Sequence, residues 1–144
     1  DMAWASQRLG DTRVRTAYAY KNLIAQNGWA PFGTDFPVEY INPFYTFYSA
    51  VFRNDATASM AQGWQMENAI SRQDALKGIT LWAAKGSFEE KIKGSIEVGK
   101  LADFIIADTD LMNASALACK NTKVIQTWIG GKKVWEQKAI KANK

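Results

Sequence analysis

The chain has 144 residues, the size of one ordinary domain, and 47% of them are hydrophobic; that is enough to bury a core and excludes a low-complexity or disordered segment. One cysteine, Cys119, excludes an internal disulfide, and the lack of histidine excludes a Ser-His-Asp or Cys-His mechanism assembled from these residues alone. The net charge of +4 sits at one end: residues 1–119 carry 11 Lys+Arg against 13 Asp+Glu, a net −2, whereas residues 120–144 carry 7 against 1, a net +6, so a solvated basic tail explains the balance and no nucleic-acid partner is expected.

Residues 1–11 show no convincing period. Asp11 or Thr12 is placed to cap a helix running to about Asn27, with an apolar stripe of Val14, Ala17, Tyr20 and Ile24. Gly28 is its natural stop, since glycine takes the left-handed conformation without steric cost. The next segment, Trp29 to Pro37, reads as a short buried strand ending near Thr34–Asp35, after which Pro37 pushes Phe36 into a loop. Helix, glycine stop, apolar strand and a polar residue at the strand's end follow the pattern of a βα repeat.

Asn42-Pro43 reads as N-cap and first helical position of an aromatic helix ending about Arg53. Residues 54–70 read as a long connection. Ser71 and Asp74 form a capping box that opens a helix through Leu76, Ile79 and Ala83, weakening at Gly86. After Gly94 the period changes. Phe104–Ala107 is a short apolar run typical of a strand covered on both faces, and Val124–Ile129 is another. Gly130-Gly131 supplies a tight turn into Lys133-Val134-Trp135. No apolar run is long enough to cross a membrane, so no membrane partner is expected. No signal peptide is visible and the compartment stays open, because any leader would lie upstream of this chain.

Three blocks then line up: Gly33-Thr34-Asp35-Phe36-Pro37-Val38; the helix Ala75-Leu76 through Trp82-Ala83-Ala84 into Ser87-Phe88-Glu89-Glu90; and Gly94-Ser95-Ile96-Glu97-Val98-Gly99-Lys100-Leu101-Ala102-Asp103-Phe104. In this order, over roughly residues 10 to 137, they resemble the amidohydrolase superfamily, and within it family 3, the branch of YtcJ-like and N-substituted formamide deformylase enzymes. The third block, G-x-I-x-x-G-K-x-A-D, is the most specific. The resemblance implies an α/β fold in which a metal-dependent hydrolase (β/α)8 barrel lies beside a small composite β-sandwich. A barrel of that kind takes about 250 residues, so this chain is expected to be a C-terminal fragment. Residues 1–93 would then be the last helix-strand-helix portion of the barrel, residues 94–137 sandwich strands, and residues 138–144 a basic tail. The activity implied for the longer parent is hydrolysis of a C–N bond, of amide or N-formyl type, in a small-molecule substrate by metal-activated water. The cofactor implied is a divalent metal, zinc first. The fragment itself is expected to be inactive and to hold no metal tightly. Unpaired strand edges point to a homo-oligomer. The rival reading is a non-catalytic binding or assembly module.

By the same resemblance Asp35 is the last-strand aspartate that ligates the metal and takes the proton of the attacking water. A carboxylate at the C-terminal end of a barrel strand suits both tasks. The bland alternative has Asp35 hydrogen-bonding its own turn. Glu39 shares the loop and reads as solvated. Arg53 has a fork that suits a substrate carboxylate, though a surface helix-end arginine is the favoured reading. Asp103 reads as a turn residue bonding local backbone, Glu89-Glu90 as a charged helix end, Trp64 and Trp82 as core, and Cys119 as an inert thiol. No substrate-binding residue is assigned.

Overall fold

The structure, a computed structural model, describes residues 2–55, 57, 59 and 62–138. It is a mixed helix and strand fold with a small antiparallel sheet. The tail beyond Lys138 and parts of the 54–70 connection lie outside the described residues.

Helix α3 (Pro43–Phe52) starts as its sequence dictates: Asn42 Oδ1 accepts from the Phe44 N–H at 3.0 Å and Pro43 occupies the first turn. Phe44, Phe47 and Tyr48 recur at helical spacing and are all buried. Helix α4 (Arg72–Ile79) begins at the predicted cap, where Ser71 Oγ accepts from the Asp74 N–H at 3.1 Å and donates to its carboxylate at 2.8 Å. The single helix expected through Ala83 is broken at Thr80 (φ −128°, ψ −93°), and α5 (Leu81–Gly86) follows as a separate piece. The Thr80 hydroxyl donates to the Leu76 carbonyl at 2.6 Å, one of the local side-chain bonds that compete with the helical ladder.

The core forms where α3 and α4 meet a short helix the sequence did not reveal, α6 (Ala116–Lys120). Phe47, Ala75 and Cys119, one from each, are fully buried, with Val51, Ile79, Leu111 and Met112 packed around them. Arg72 ties this unit together. Its Nη2 donates to the Ala114 carbonyl at 2.7 Å, its Nη1 reaches the Leu111 carbonyl and Cys119 Sγ, and its guanidinium lies 5.1 Å from the Phe52 ring centre.

Strands β1 (Phe104–Ala107), β2 (Val124–Ile129) and β3 (Lys132–Glu136) pair antiparallel in that order. Phe104 opposes Trp128 and the rings stack at 5.5 Å. Gly130 and Gly131, at φ 56° and 74°, make the predicted turn. Asp103 does not bond its own turn as expected: its Oδ1 accepts from the Gly130 N–H, 27 residues away, at 2.7 Å, which clips the hairpin to the start of β1. Nor is β1 covered on both faces, since Ile105 and Ile106 are exposed.

The N-terminal half departs from expectation twice. Residues 2–13 form helix α1, kinked at Gly10. A 3-10 turn (Val14–Thr16) and a left-handed Tyr18 (φ 56°) then reverse the chain, and α2 (Tyr20–Asn27) begins only after them. The stripe of Val14, Ala17, Tyr20 and Ile24 is thus divided between two elements, although Gly28 ends α2 as predicted, in the left-handed conformation. Residues 29–35 are not a strand and have no regular secondary structure. Its Phe32 N–H donates to the Gly78 carbonyl at 2.9 Å, which fastens it to α4.

Candidate functional site

That fastening positions the site. Gly78 is buried in α4, and a Cβ there would fall inside contact distance of the Phe32 ring. The glycine therefore lets the ring pack directly on the helix, and the segment leading to Asp35 is held from Phe32 onward. Asp35 itself is left-handed (φ 59°), which aspartate tolerates better than most residues. Its main-chain carbonyl closes the turn, accepting from the Val38 N–H at 2.9 Å. The Asp35 side chain is exposed, and no hydrogen bond joins it to the described residues.

Asp35 lines a cavity of about 410 Å³ between this segment, the C-terminal end of α3, Tyr18 and Trp64. Glu39 lines it too and is exposed, in keeping with a solvated loop glutamate. Its walls are aromatic: Tyr20 meets Phe32 edge-on at 6.0 Å, Tyr40 meets Tyr45 at 5.9 Å, and Tyr18 meets Trp64 at 5.8 Å. Trp64 is thus a wall of the cavity rather than core, whereas Trp82 is buried as expected.

Arg53 corrects the favoured sequence reading. It is not on the surface but 7% exposed, in the cavity wall, at a left-handed position (φ 51°) that ends α3. Its Nε donates to the Trp64 carbonyl at 3.1 Å and its Nη1 to the Tyr18 carbonyl at 3.2 Å. Burial pushes its pKa down, while Tyr20 and Glu67 oppose that. Asp55, on the same wall, is a residue the sequence reading passed over. The hydroxyls of Ser59 and Thr57 hold its carboxyl at about 2, below the ordinary 3.8. An acidic residue followed at two and four positions by hydroxyls was the available signal.

Outside the cavity, Glu89 and Glu90 are not a helix end as expected: α5 stops at Gly86, both residues lie beyond it, and Glu89 pairs with Lys93. Cys119 gains a basic partner from a distant helix. The fold brings Arg72 Nη1 to 3.3 Å of a fully buried sulfur. For a metal, the described residues contain no group of three or more His, Cys, Asp or Glu able to hold one. A transition metal wants several such ligands, so the described residues do not by themselves fit it, and Asp35 is at most one ligand of a larger set. What the cavity offers unaided is a solvent-reachable carboxylate, a buried guanidinium and aromatic walls between them.

A family model for the amidohydrolase family matches residues 1–135. Over 131 residues the chain is 32% identical to Protein LONG AFTER FAR-RED 3 of Arabidopsis thaliana, covering 90% of this chain and 22% of that protein. Over 137 residues it is 28% identical to YtcJ of Bacillus subtilis (strain 168), provisionally named an amidohydrolase, covering 95% and 26%. The chain thus spans about a quarter of the length of these curated relatives. Among solved structures it is similar to an amidohydrolase from Thermotoga maritima MSB8, with a TM-score of 0.47 and 19% identity, covering 86% of this chain and 36% of that one.

Proposed function

This chain belongs to the amidohydrolase family, and on that premise we propose that it is the C-terminal portion of a longer metal-dependent hydrolase that cleaves C–N bonds of amide or N-formyl type in small molecules. The observation that carries this reading is the placement of Asp35: a carboxylate unengaged by the described residues, on a left-handed residue, lining the aromatic-walled cavity. Left-handed non-glycine residues cluster at functional sites because surrounding structure must hold them there. In this reading Asp35 is both a metal ligand and the group that accepts a proton during hydrolysis. The remaining ligands of a divalent metal, zinc first, would come from outside this chain. Residues 1–93 would form the last part of a (β/α)8 barrel and residues 94–137 the strands of a composite sandwich. The chain by itself would be inactive and would hold no metal tightly.

A second reading, an assembly module, is favoured by one feature. Phe88, Ile96 and Val98 stand 94%, 85% and 108% exposed, apolar side chains suited to covering by another chain. The test is Asp35→Asn in the longer parent protein. Loss of a general base costs about 10²- to 10⁴-fold in rate, so turnover of an N-acyl or N-formyl amine should fall by at least about 100-fold with the circular dichroism unchanged. Turnover within a few-fold of the unaltered protein would overturn the assignment.

A further inference from the structure

Arg53 is a buried cation with no ion-pair partner among the described residues, although the charge of Glu67 acts on it through space. Two of its nitrogens donate to backbone carbonyls, but Nη2 is shielded from solvent and has no acceptor among the described residues. Nor does any described carboxylate lie within ion-pair distance of it. A buried charge left unpaired and a buried donor left unsatisfied are both unfavourable. They persist where the group is completed by something else. Here the same residue lines the cavity, with its guanidinium 5.4 Å from the Trp64 ring centre. Three of the five described non-glycine residues with positive φ, namely Tyr18, Asp35 and Arg53, line that cavity, so the strained backbone of this chain concentrates there.

The other charges in the wall do not answer Arg53. Asp35 and Glu39 are exposed to solvent, and Asp55 directs its oxygens to Thr57 and Ser59. We propose that Arg53 is the carboxylate anchor of this cavity, and that the ligand is a small apolar or aromatic molecule carrying one carboxylate. The carboxylate takes the spare Nη2, and the body of the ligand lies against the Tyr18–Trp64 and Tyr20–Phe32 pairs. Because Nη2 is shielded, binding turns the guanidinium toward the cavity at the expense of the 3.2 Å bond to the Tyr18 carbonyl. This deepens the hydrolase reading by naming a substrate class, and it rests on that reading only for the claim that the ligand is a substrate.

Phenylacetate and phenylacetamide share a shape and differ in charge, so calorimetric titration of the 144-residue chain with each isolates the anchor. A hydrogen bond to a charged group separates the two by at least about tenfold in affinity, phenylacetate being the tighter. Arg53→Met should bring phenylacetate down to the carboxamide's affinity. Arg53→Lys keeps the charge without the fork and should fall between them. Asp35→Asn should retain the preference, so loss of the preference only in Arg53 variants separates this inference from the metal-ligand reading. Equal affinity for the two probes in the unaltered chain, binding of neither, or undiminished phenylacetate binding in Arg53→Met would each overturn it. Should the Met variant fail to fold, the probe comparison in the unaltered chain decides alone.

Discussion

Replacing Gly78 by alanine should destabilise this chain, although the same change inside an ordinary exposed helix is worth about 1 kcal/mol in the opposite direction. Gly78 is buried in α4, and an added methyl would intrude on the Phe32 ring at Cγ, Cδ2 and Cε2. The ring cannot follow a retreating backbone, because the Phe32 N–H is held by the Gly78 carbonyl at 2.9 Å. Overpacking of this kind costs about 1–3 kcal/mol. A displaced Phe32 would also give back part of the roughly 1.5–3 kcal/mol that burying such a side chain contributes. Against the gain in helix propensity, the net expectation is a loss of about 1–2 kcal/mol. Urea unfolding followed by far-ultraviolet circular dichroism reads it directly. A double-mutant cycle with Phe32→Ala makes the argument specific. With the ring gone the alanine should be neutral or stabilising, giving a coupling of about 2 kcal/mol. Equal or greater stability of Gly78→Ala in the presence of Phe32 would refute the reasoning.

Phe47 is fully buried where α3, α4 and α6 meet, so Phe47→Ala should cost about 3–5 kcal/mol, measurable by the same urea titration. Asp55 has a folded pKa of about 2 against an ordinary 3.8. Its stabilisation is therefore complete above the unfolded value and is lost as pH falls through the folded one. Asp55→Asn should be less stable than the native chain at neutral pH, with the difference closing between about pH 4 and pH 2; a difference constant across that window would contradict it. Ile105, Ile106, Val134 and Trp135 are exposed on the sheet, and β1 and β3 are its outer strands. Self-association through those edges is expected, and sedimentation equilibrium showing a 16.1 kDa species at all concentrations would exclude it.

Elements whose signals are local were legible from the residues. The Asn42-Pro43 start of α3, the Ser71 cap of α4, the Gly28 stop and the Gly130-Gly131 turn all appear where the sequence placed them. Each depends on groups within four residues of one another, so the neighbouring sequence contains the whole cause. The family resemblance was legible too, in blocks whose order along the chain is itself the signal, and Asp35 stands in one of them.

Partners distant in sequence were not legible. Asp103 bonds Gly130, Arg72 reaches Cys119 across 47 residues, and Phe32 packs against Gly78. Residues 29–35 read as a strand because their apolar pattern is that of one, yet strand identity belongs to a pair of backbones, and here the segment bonds α4 through Phe32. Arg53 is the sharpest case. A helix-end arginine is solvated unless the fold closes over it, and the closing surfaces, Tyr18 and Trp64, are 35 and 11 residues away. Local sequence sets which backbone conformations a residue can hold, but burial is a property of what is packed against it. The chain alone therefore determined its caps, turns and family, while the tertiary structure decided which charge is buried, because only packing from distant residues could set Arg53 into the cavity wall.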